Sequence, residues 1–432
     1  MSVVVGVDVG SSSARALAVR PDGSVAAASG AGYRGVSSWP AGRADPGAWR
    51  IAVEEALGLL GRELAEASRP VALAIGGQSP TTVPLDGGFA VTCSNAAGAE
   101  LDPVSQHAAQ REALGVHGVE VAQLWDWLLT SLGAPLRQGR WFGEPPLAGF
   151  GPRASTGEVI GEADGTWGVA GGTPLVPGAQ DAYLAFWAAG LVQPRRGCDP
   201  GGRTGGLGVV VTDQDRPAGM FGLRSAARGA SIVGGPVNAH GLALEWLGRI
   251  TGRSVSELVD LAAGSAAGAG GVVFLPYLEG ERAPRWNRSL RAELAGLSSS
   301  TEVSDLARAA LEGAAYGLAH IAGRLVEEGV EMDVLVCGGS PSKSRLWCEV
   351  KASVLGIPVD QSAVPELAAY GAALAAGAGA GWWALPGGDP ASWPTPPMCR
   401  IDPVPDPTYA DALARFIELG DAAELRLTTT RR

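Results

Sequence analysis

Few residues in this chain are equipped for chemistry, and they lie far apart. In LVPGAQDAYLAFWAAGLV, residues 175 to 192, the one charge is Asp181, at the mouth of an apolar, aromatic run. That run reads as a buried helix. A carboxylate at its start has two uses. It caps the helix, accepting backbone N–H bonds at the positive end of the dipole, or it acts as a base on the floor of a cleft. The second carboxylate is Asp8 in DVGSSSAR, residues 8 to 15, where a β-branched run meets Gly10, Ser11, Ser12 and Ser13 and then Arg15. Small residues leave backbone N–H groups bare to cradle anionic oxygens. Asp8 there suits a hydrated Mg2+, an ion that keeps its waters and takes few carboxylates. A tight hairpin whose Asp bonds its own turn has the same sequence signature.

Two more glycine loops follow. GGRTGGLG, residues 201 to 208, places Thr204, Gly205 and Gly206 where the first loop has its serines, and a β run comes directly after. CGGSPSKS, residues 337 to 344, is a strand-to-helix turn holding Gly338, Gly339 and Ser340. Such turns bind phosphate or adenosine because bare backbone and a helix N-terminus face the ligand. The last loop lacks the glycine that a Walker loop has before its lysine, here Lys343. No GxGxxG follows the first strand, which argues against a dinucleotide-binding dehydrogenase.

Composition narrows the choices further. The chain has 432 residues, 46% hydrophobic and 18% charged, with a formal net charge of −11. That predicts two or three folded domains and disfavours nucleic acid or an anionic membrane as partner. Cys93, Cys198, Cys337, Cys348 and Cys399 form no CxxC pair, so reduced thiols in a cytoplasmic protein are expected. The four histidines show no metal-ligand spacing. No basic leader and no apolar run of about 18 residues is found, so neither a signal peptide nor a membrane span is expected.

The elements that must hold these residues come in two cycles. VVVGVDV, ARALAVR and SVAAASGAGY read as strands, the last two joined by a PDG turn. A helix opened by Asp45-Pro46 follows, over about 46 to 67, and VALAIG at 71 to 76 reads as a buried strand. Residues 104 to 132 are expected to be helical, and the Gly- and Pro-rich stretch 133 to 178 reads as loops and short strands. The second cycle starts near residue 201, with strands at GLGVVVTD and ASIVGG, a helix over NAHGLALEWLGRITG, and a strand in VVFLPYL. Residues 300 to 329 read as a long amphipathic helix with a Ser/Thr cap. MDVLVCGG and IPVD are strands, and SRLWCEVKASVLG, ELAAYGAALAAGAGAG and residues 408 to 427 are helices. Two similar α/β halves flanking a cleft are the expected architecture.

At this level the chain resembles the FGGY family of carbohydrate kinases, on its xylulokinase side. GERAPRWNRSLRAELAGLSSSTEVSDLARAALEG, residues 280 to 313, is similar to the family's C-terminal signature. CGGSPSKSRLWCEVKASVLGIPV is similar to its adenosine loop, GAQDAYLAFWAAGL to its Gly-x-x-Asp block, and DVGSSSAR and GRTGGLG to its phosphate loops. The resemblance implies an actin-like ATPase fold of two ribonuclease-H-like domains, here 1–197 for the sugar and 198–432 for the nucleotide. It implies ATP and Mg2+ as cofactors and a sugar or polyol as acceptor. Asp181 would be the general base. Asp8, with Asp181, would place the metal. Gly10 to Ser13, Arg15 and Thr204 to Gly206 would hold the phosphates, Gly338 to Ser340 the adenosine, and Gln78 and Ser79, in GGQSP, the substrate. Phosphoryl transfer rests on positioning and charge stabilisation, so no Cys, His or Lys nucleophile is needed.

The sugar side departs from the family pattern. Pro80 stands where xylulokinases carry a histidine, and CSNAAGAELD lacks the Trp-x-Asp-x-Arg block. VAQLWDWLL has no lysine, Ala182 replaces an Asn after the base, and the chain is short between about 130 and 160. Trp125, Trp127, Trp141 and Phe142 can stack on a ligand or fill a core. A non-catalytic nucleotide- or sugar-binding regulator descended from a kinase is the alternative reading. The sequence names neither the sugar nor the oligomeric state, and a homodimer is compatible with it.

Overall fold

Val3, Val4, Val5, Val7 and Val9 make β1 (Ser2–Val9) a strand buried on both faces. The structure, a computed structural model, describes residues 1–33, 42–64, 68–92, 103–115, 121–212 and 221–429. The chain divides into two units: Met1–Gly190 with Ala226–Arg228 and Glu366–Pro396, and Leu191–Ser225 with Gly229–Pro365 and Pro397–Arg432.

In the first unit β1 is followed by β2 (Ser13–Val19), β3 (Val25–Gly32), α1 (Pro46–Glu63) and β4 (Arg69–Gly77). Asp45 caps α1, its carboxylate accepting from Gly47 N at 2.8 Å, and Pro46 occupies the first turn. This is the start that the Asp-Pro pair predicted. Then come α2 (Pro103–Leu114), β5 (Val121–Gln123), α3 (Leu124–Thr130), β6 (Gln138–Arg140), β7 (Gly161–Glu162), β8 (Pro174–Gln180) and α4 (Asp181–Ala188). The main sheet runs β7-β8-β4-β1-β2-β3. β1, β2 and β3 are antiparallel, while β4 and β8 run parallel to β1. LVPGAQ lies in β8, and the helix starts at Asp181, the position expected for it.

The second unit repeats the plan. β9 (Arg196–Asp199) and β10 (Gly205–Thr212) form a hairpin, and β11 (Phe221–Arg224) and β12 (Ala230–Val237) extend it. After α5 (Gly241–Thr251) and α6 (Val303–Glu327), β13 (Val334–Cys337) lies parallel to β9. α7 (Arg345–Leu355) leads to β14 (Val359–Ser362), parallel to β13. The α6 cap also differs from expectation. Instead of a Ser or Thr, Glu302 takes the position, with Asp305 accepting from its N–H at 3.0 Å.

The chain then returns to the first unit as α8 (Leu367–Gly379), so the units are not the two consecutive stretches 1–197 and 198–432. The return explains the small residues of this helix. α8 packs so closely on β1 that a Cβ on Gly6 would sit 2.1 Å from Ala373 N. The chain ends in the second unit with β15 (Met398–Ile401), antiparallel to β14, and α9 (Pro407–Thr429). Among the described residues no helix is long and apolar enough to cross a membrane.

Candidate active site

The carboxyl ends of β1, β4 and β8 lie side by side: Val9 pairs with Gly77, and Gly77 with Gln180. Open parallel sheets bind ligands at this edge, because each strand there releases its chain into a loop. Asp8 leaves β1, Gln78 and Ser79 leave β4, and Asp181 leaves β8. Four predicted residues are thus brought to one edge.

The loop after Asp8 is a tight turn. Gly10 N–H donates to Ser13 O at 3.1 Å, and Tyr33 Oη donates to Gly10 O at 2.6 Å, which pins it. Ser11 and Ser12 are exposed, and Arg15 packs over Gly30. Asp8 Oδ1 is buried without a hydrogen-bond partner. Burial and the charge of Asp181 push the Asp8 carboxyl up to about 8, against a smaller pull from Arg15. Two carboxylates interacting this strongly, one with an orphaned oxygen, fit a cation. Among the described residues no set of three or more acidic, His or Cys ligands forms a metal cage. A cation held by one or two carboxylates and waters is the Mg2+ pattern. At the start of its helix Asp181 Oδ1 accepts from Ala182 N at 2.8 Å. The side chain of Gln78 is buried and its Nε2 has no partner.

Beside this edge, in the same unit, lies a pocket of about 300 Å³, part of it open to solvent. Ser79, Ala179 and Gln180 bring it next to Asp181, and Trp125 and Trp141 line it, as the stacking reading allows. Trp127 packs on the core, and Phe142 meets Arg228, whose guanidinium lies 5.2 Å from its ring centre. Sequence reasoning missed His107, Gln123, Arg140, Glu144 and Tyr183, which also line the pocket. The charges flanking two aromatics in GRWFGE were the available signal. The stretch CSNAAGAELD, residues 93 to 102, lies outside the described residues.

In the second unit the two remaining glycine loops meet. Gly338 N–H donates to Asp199 O at 2.9 Å, and a Cβ on Gly201 would sit 2.4 Å from Gly338 O. Gly339, at φ +64°, has a left-handed conformation that suits only glycine well, and a Cβ there would sit 2.5 Å from Pro200 O. Asp199–Gly201 and Gly338–Gly339 are therefore held together by backbone contacts, and Thr204–Gly206 lie further along the first of these loops. Behind them Asp199, Lys351 and His240 are fully buried. Lys351 Nζ donates to Asp199 Oδ2 at 2.5 Å, and His240 Nε2 lies 3.2 Å from the same oxygen without hydrogen-bond alignment. Burial pushes the Asp199 carboxyl up, yet His240 and Lys351 outweigh it and hold the group well below its usual range. Burial and Lys351 push His240 down, against the upward pull of Asp199. This triad was not foreseen.

Two sheets of this topology, each with an antiparallel hairpin beside parallel strands, define the actin-like ATPase fold. The similarity to solved structures agrees: a xylulose kinase from Lactobacillus acidophilus superposes with a TM-score of 0.79 at 18% identity, over 98% of both chains. Residues 204–380 match the C-terminal domain of the FGGY family of carbohydrate kinases. A xylulose kinase of Staphylococcus epidermidis is 34% identical over 147 residues, 34% of this chain and 30% of that protein. A glycerol kinase of Thermus brockianus is 35% identical over 217 residues, 48% of this chain and 43% of that one. The matched stretches thus span less than half of these curated relatives.

Proposed function

We propose that the protein is an ATP-dependent carbohydrate kinase that phosphorylates a hydroxyl of a sugar or polyol. The observation that carries this reading is the strand edge of the first unit, where Asp181, Asp8 with its orphaned oxygen, and a polar-aromatic pocket adjoin. The FGGY domain over residues 204–380 supports the nucleotide side.

In this reading the acceptor lies in the pocket, with Gln78 and Ser79 beside it. Asp181 takes the proton of the attacking hydroxyl at its carboxylate. The helix N-terminus behind Asp181 favours the ionised form that a base requires. Asp8 and Asp181 would hold Mg2+, which when bound neutralises phosphate charge. Gly10 to Ser13 with Arg15, and Thr204 to Gly206, would each bind phosphate oxygens, and Gly338, Gly339 and Ser340 would bind the adenosine. The protein's contribution is placement and preorganised charge.

The test is a coupled ADP-release screen across ketoses, aldoses and polyols at saturating Mg-ATP. Sugar-dependent turnover is expected, and Asp181→Asn should lower it by about 10²-fold or more with circular dichroism unchanged. Full activity in that variant removes Asp181 as the base. ATP binding with no turnover on any acceptor makes the protein a non-catalytic binder instead.

A further inference from the structure

Asp181 is the pivot of the proposed reaction, yet the sheet loosens just before it. β8 pairs with β4 as far as Pro177, and the register shifts before Gln180. Across that gap the backbone is caught from another side. Gly157 N–H donates to Pro177 O at 3.2 Å, and the buried Thr156 Oγ1 donates to Gly178 O at 2.9 Å. β6 lies on the same stretch: a Cβ on Gly139 would sit 2.6 Å from Pro177 Cβ. Thr156 is itself tied to β6, its N–H donating to Arg140 O at 3.1 Å.

The chain beyond Asp181 is caught as well. Tyr183, in the first turn of α4, donates from Oη to Glu144 Oε1 at 2.9 Å. Glu144 Oε2 accepts from Trp141 N–H at 3.3 Å and pairs with Arg140 Nη2 at 3.2 Å. Both clamps therefore end on Arg140, one at its carbonyl and the other at its guanidinium. Arg140 is held in turn. Its Nε donates to Pro145 O at 2.9 Å, and its Nη1 to Gln123 Oε1 at 3.2 Å. Gln123 Nε2 donates to Asp126 Oδ2 at 2.9 Å, which turns the Gln123 carbonyl towards the arginine. Asp126 Oδ1 accepts from Gly139 N–H at 2.9 Å. A guanidinium is a rigid planar fork, so bonds at Nε and at both Nη atoms fix its plane.

We propose that the Arg140–Glu144 pair is a positioning device for Asp181, fixing through Thr156 and Tyr183 the chain on both sides of the base. In this role neither residue contacts the reacting atoms. Proton transfer depends on geometry first, and a misplacement of about 1 Å can cost about 10²-fold in rate. The inference rests on the reading of Asp181 as the general base, and adds what holds that base in place.

Turnover and hydrogen exchange on the full chain test this together. Tyr183→Phe keeps the ring and removes one bond, while Glu144→Ala removes that bond and the ion pair. Each should lower kcat about tenfold at saturating Mg-ATP, with the acceptor KM within about threefold of wild type. Thr156→Val, which removes the hydroxyl of the other clamp, should act in the same way. Glu144→Gln can still bond both partners and should restore most of the rate. In the Asp181→Asn background Tyr183→Phe should cost nothing further, because residues acting through one group are not additive. Exchange in peptides spanning residues 176 to 188 should rise about tenfold in Tyr183→Phe and Glu144→Ala. Their melting temperatures should stay within about 3 °C of wild type.

Unchanged kcat in the folded variants overturns the proposal and leaves the kinase reading standing. So does an effect confined to KM, or an equal loss in the Asp181→Asn background; either marks direct contact with the acceptor instead. If Glu144→Ala fails to fold, Tyr183→Phe and Thr156→Val decide. If the wild type turns over no acceptor, the kinase reading falls and exchange alone decides. Raised exchange then upholds the brace, and unaltered exchange overturns it.

Discussion

Asp8 and Asp199 stand at matching points of two similar sheets. Each closes the first strand of its unit, beside an antiparallel hairpin on one flank and a parallel strand on the other, and each is followed by a glycine loop. Their surroundings differ. Asp199 carries its own cation, Lys351, fixed at 2.5 Å and flattened against Trp347, whose ring centre lies 5.0 Å from Nζ. Asp8 has no such partner. One of its oxygens is orphaned and its strongest charged neighbour is another aspartate. A buried carboxylate paired inside the fold serves architecture. The same group left unpaired is held ready for a cation from outside, and costs stability until one arrives.

Removing Lys351 should show the largest effect on that contrast. Lys351→Met leaves Asp199 buried without its ammonium partner, and is expected to cost about 3–5 kcal/mol in chemical denaturation at pH 7. The double variant Asp199→Asn/Lys351→Met should recover a good part of it. If the single variant is as stable as wild type, the brace is not electrostatic and the contrast with Asp8 collapses.

Glu281 offers an intermediate case within the second unit. It is buried, its Oε1 accepts from Asn238 N at 3.0 Å and Arg282 N at 2.7 Å, and burial pushes it up to about 7 despite those bonds. A carboxyl whose folded pKa exceeds its unfolded value binds its proton more tightly when folded. Stability should therefore fall as pH rises from about 4.5 to about 7, by about 1–3 kcal/mol, and stay flat in this contribution outside that window. Glu281→Gln keeps the acceptor oxygen and should flatten the curve. An unaltered pH profile in the variant would show that backbone N–H groups alone satisfy a buried carboxylate here.

The smallest effect, and the opposite sign, is expected at Asp8. Asp8→Asn removes a carboxyl whose ionisation burial and Asp181 oppose more strongly than Arg15 favours it, so the apoprotein should gain about 1 kcal/mol at pH 7. Magnesium should raise the melting temperature of the wild type and not of the variant. A destabilised variant would mean that Asp8 has an internal partner after all, as Asp199 does.

Much of the fold was legible from residue patterns. β-branched runs marked β1 and β10, Asp45-Pro46 marked the start of α1, and the second cycle marked the repeat in which Asp199 takes the sheet position matching that of Asp8. What escaped depended on distant pairing. LVPGAQ holds a proline and a glycine and does not alternate, yet β8 forms because β4 pairs with it through a register shift between Pro177 and Gln180. Asp181 and Asp8 were visible through the loops around them. Arg140 and Glu144 were not, because they come from an aperiodic Gly- and Pro-rich stretch whose shape is set by contacts far along the chain. Lys351 sits mid-helix, where nothing local distinguishes a buried lysine from an exposed one.

The return of α8 to the first unit has a consequence for how this polypeptide is made. β1 leaves the ribosome well before the helix that covers Gly6, which follows more than 350 residues later. The nascent first unit must therefore wait, with one side of its central strand uncovered, while almost the whole second unit is synthesised. Domains usually complete in the order of translation; here the first unit is completed only after most of the second has been made.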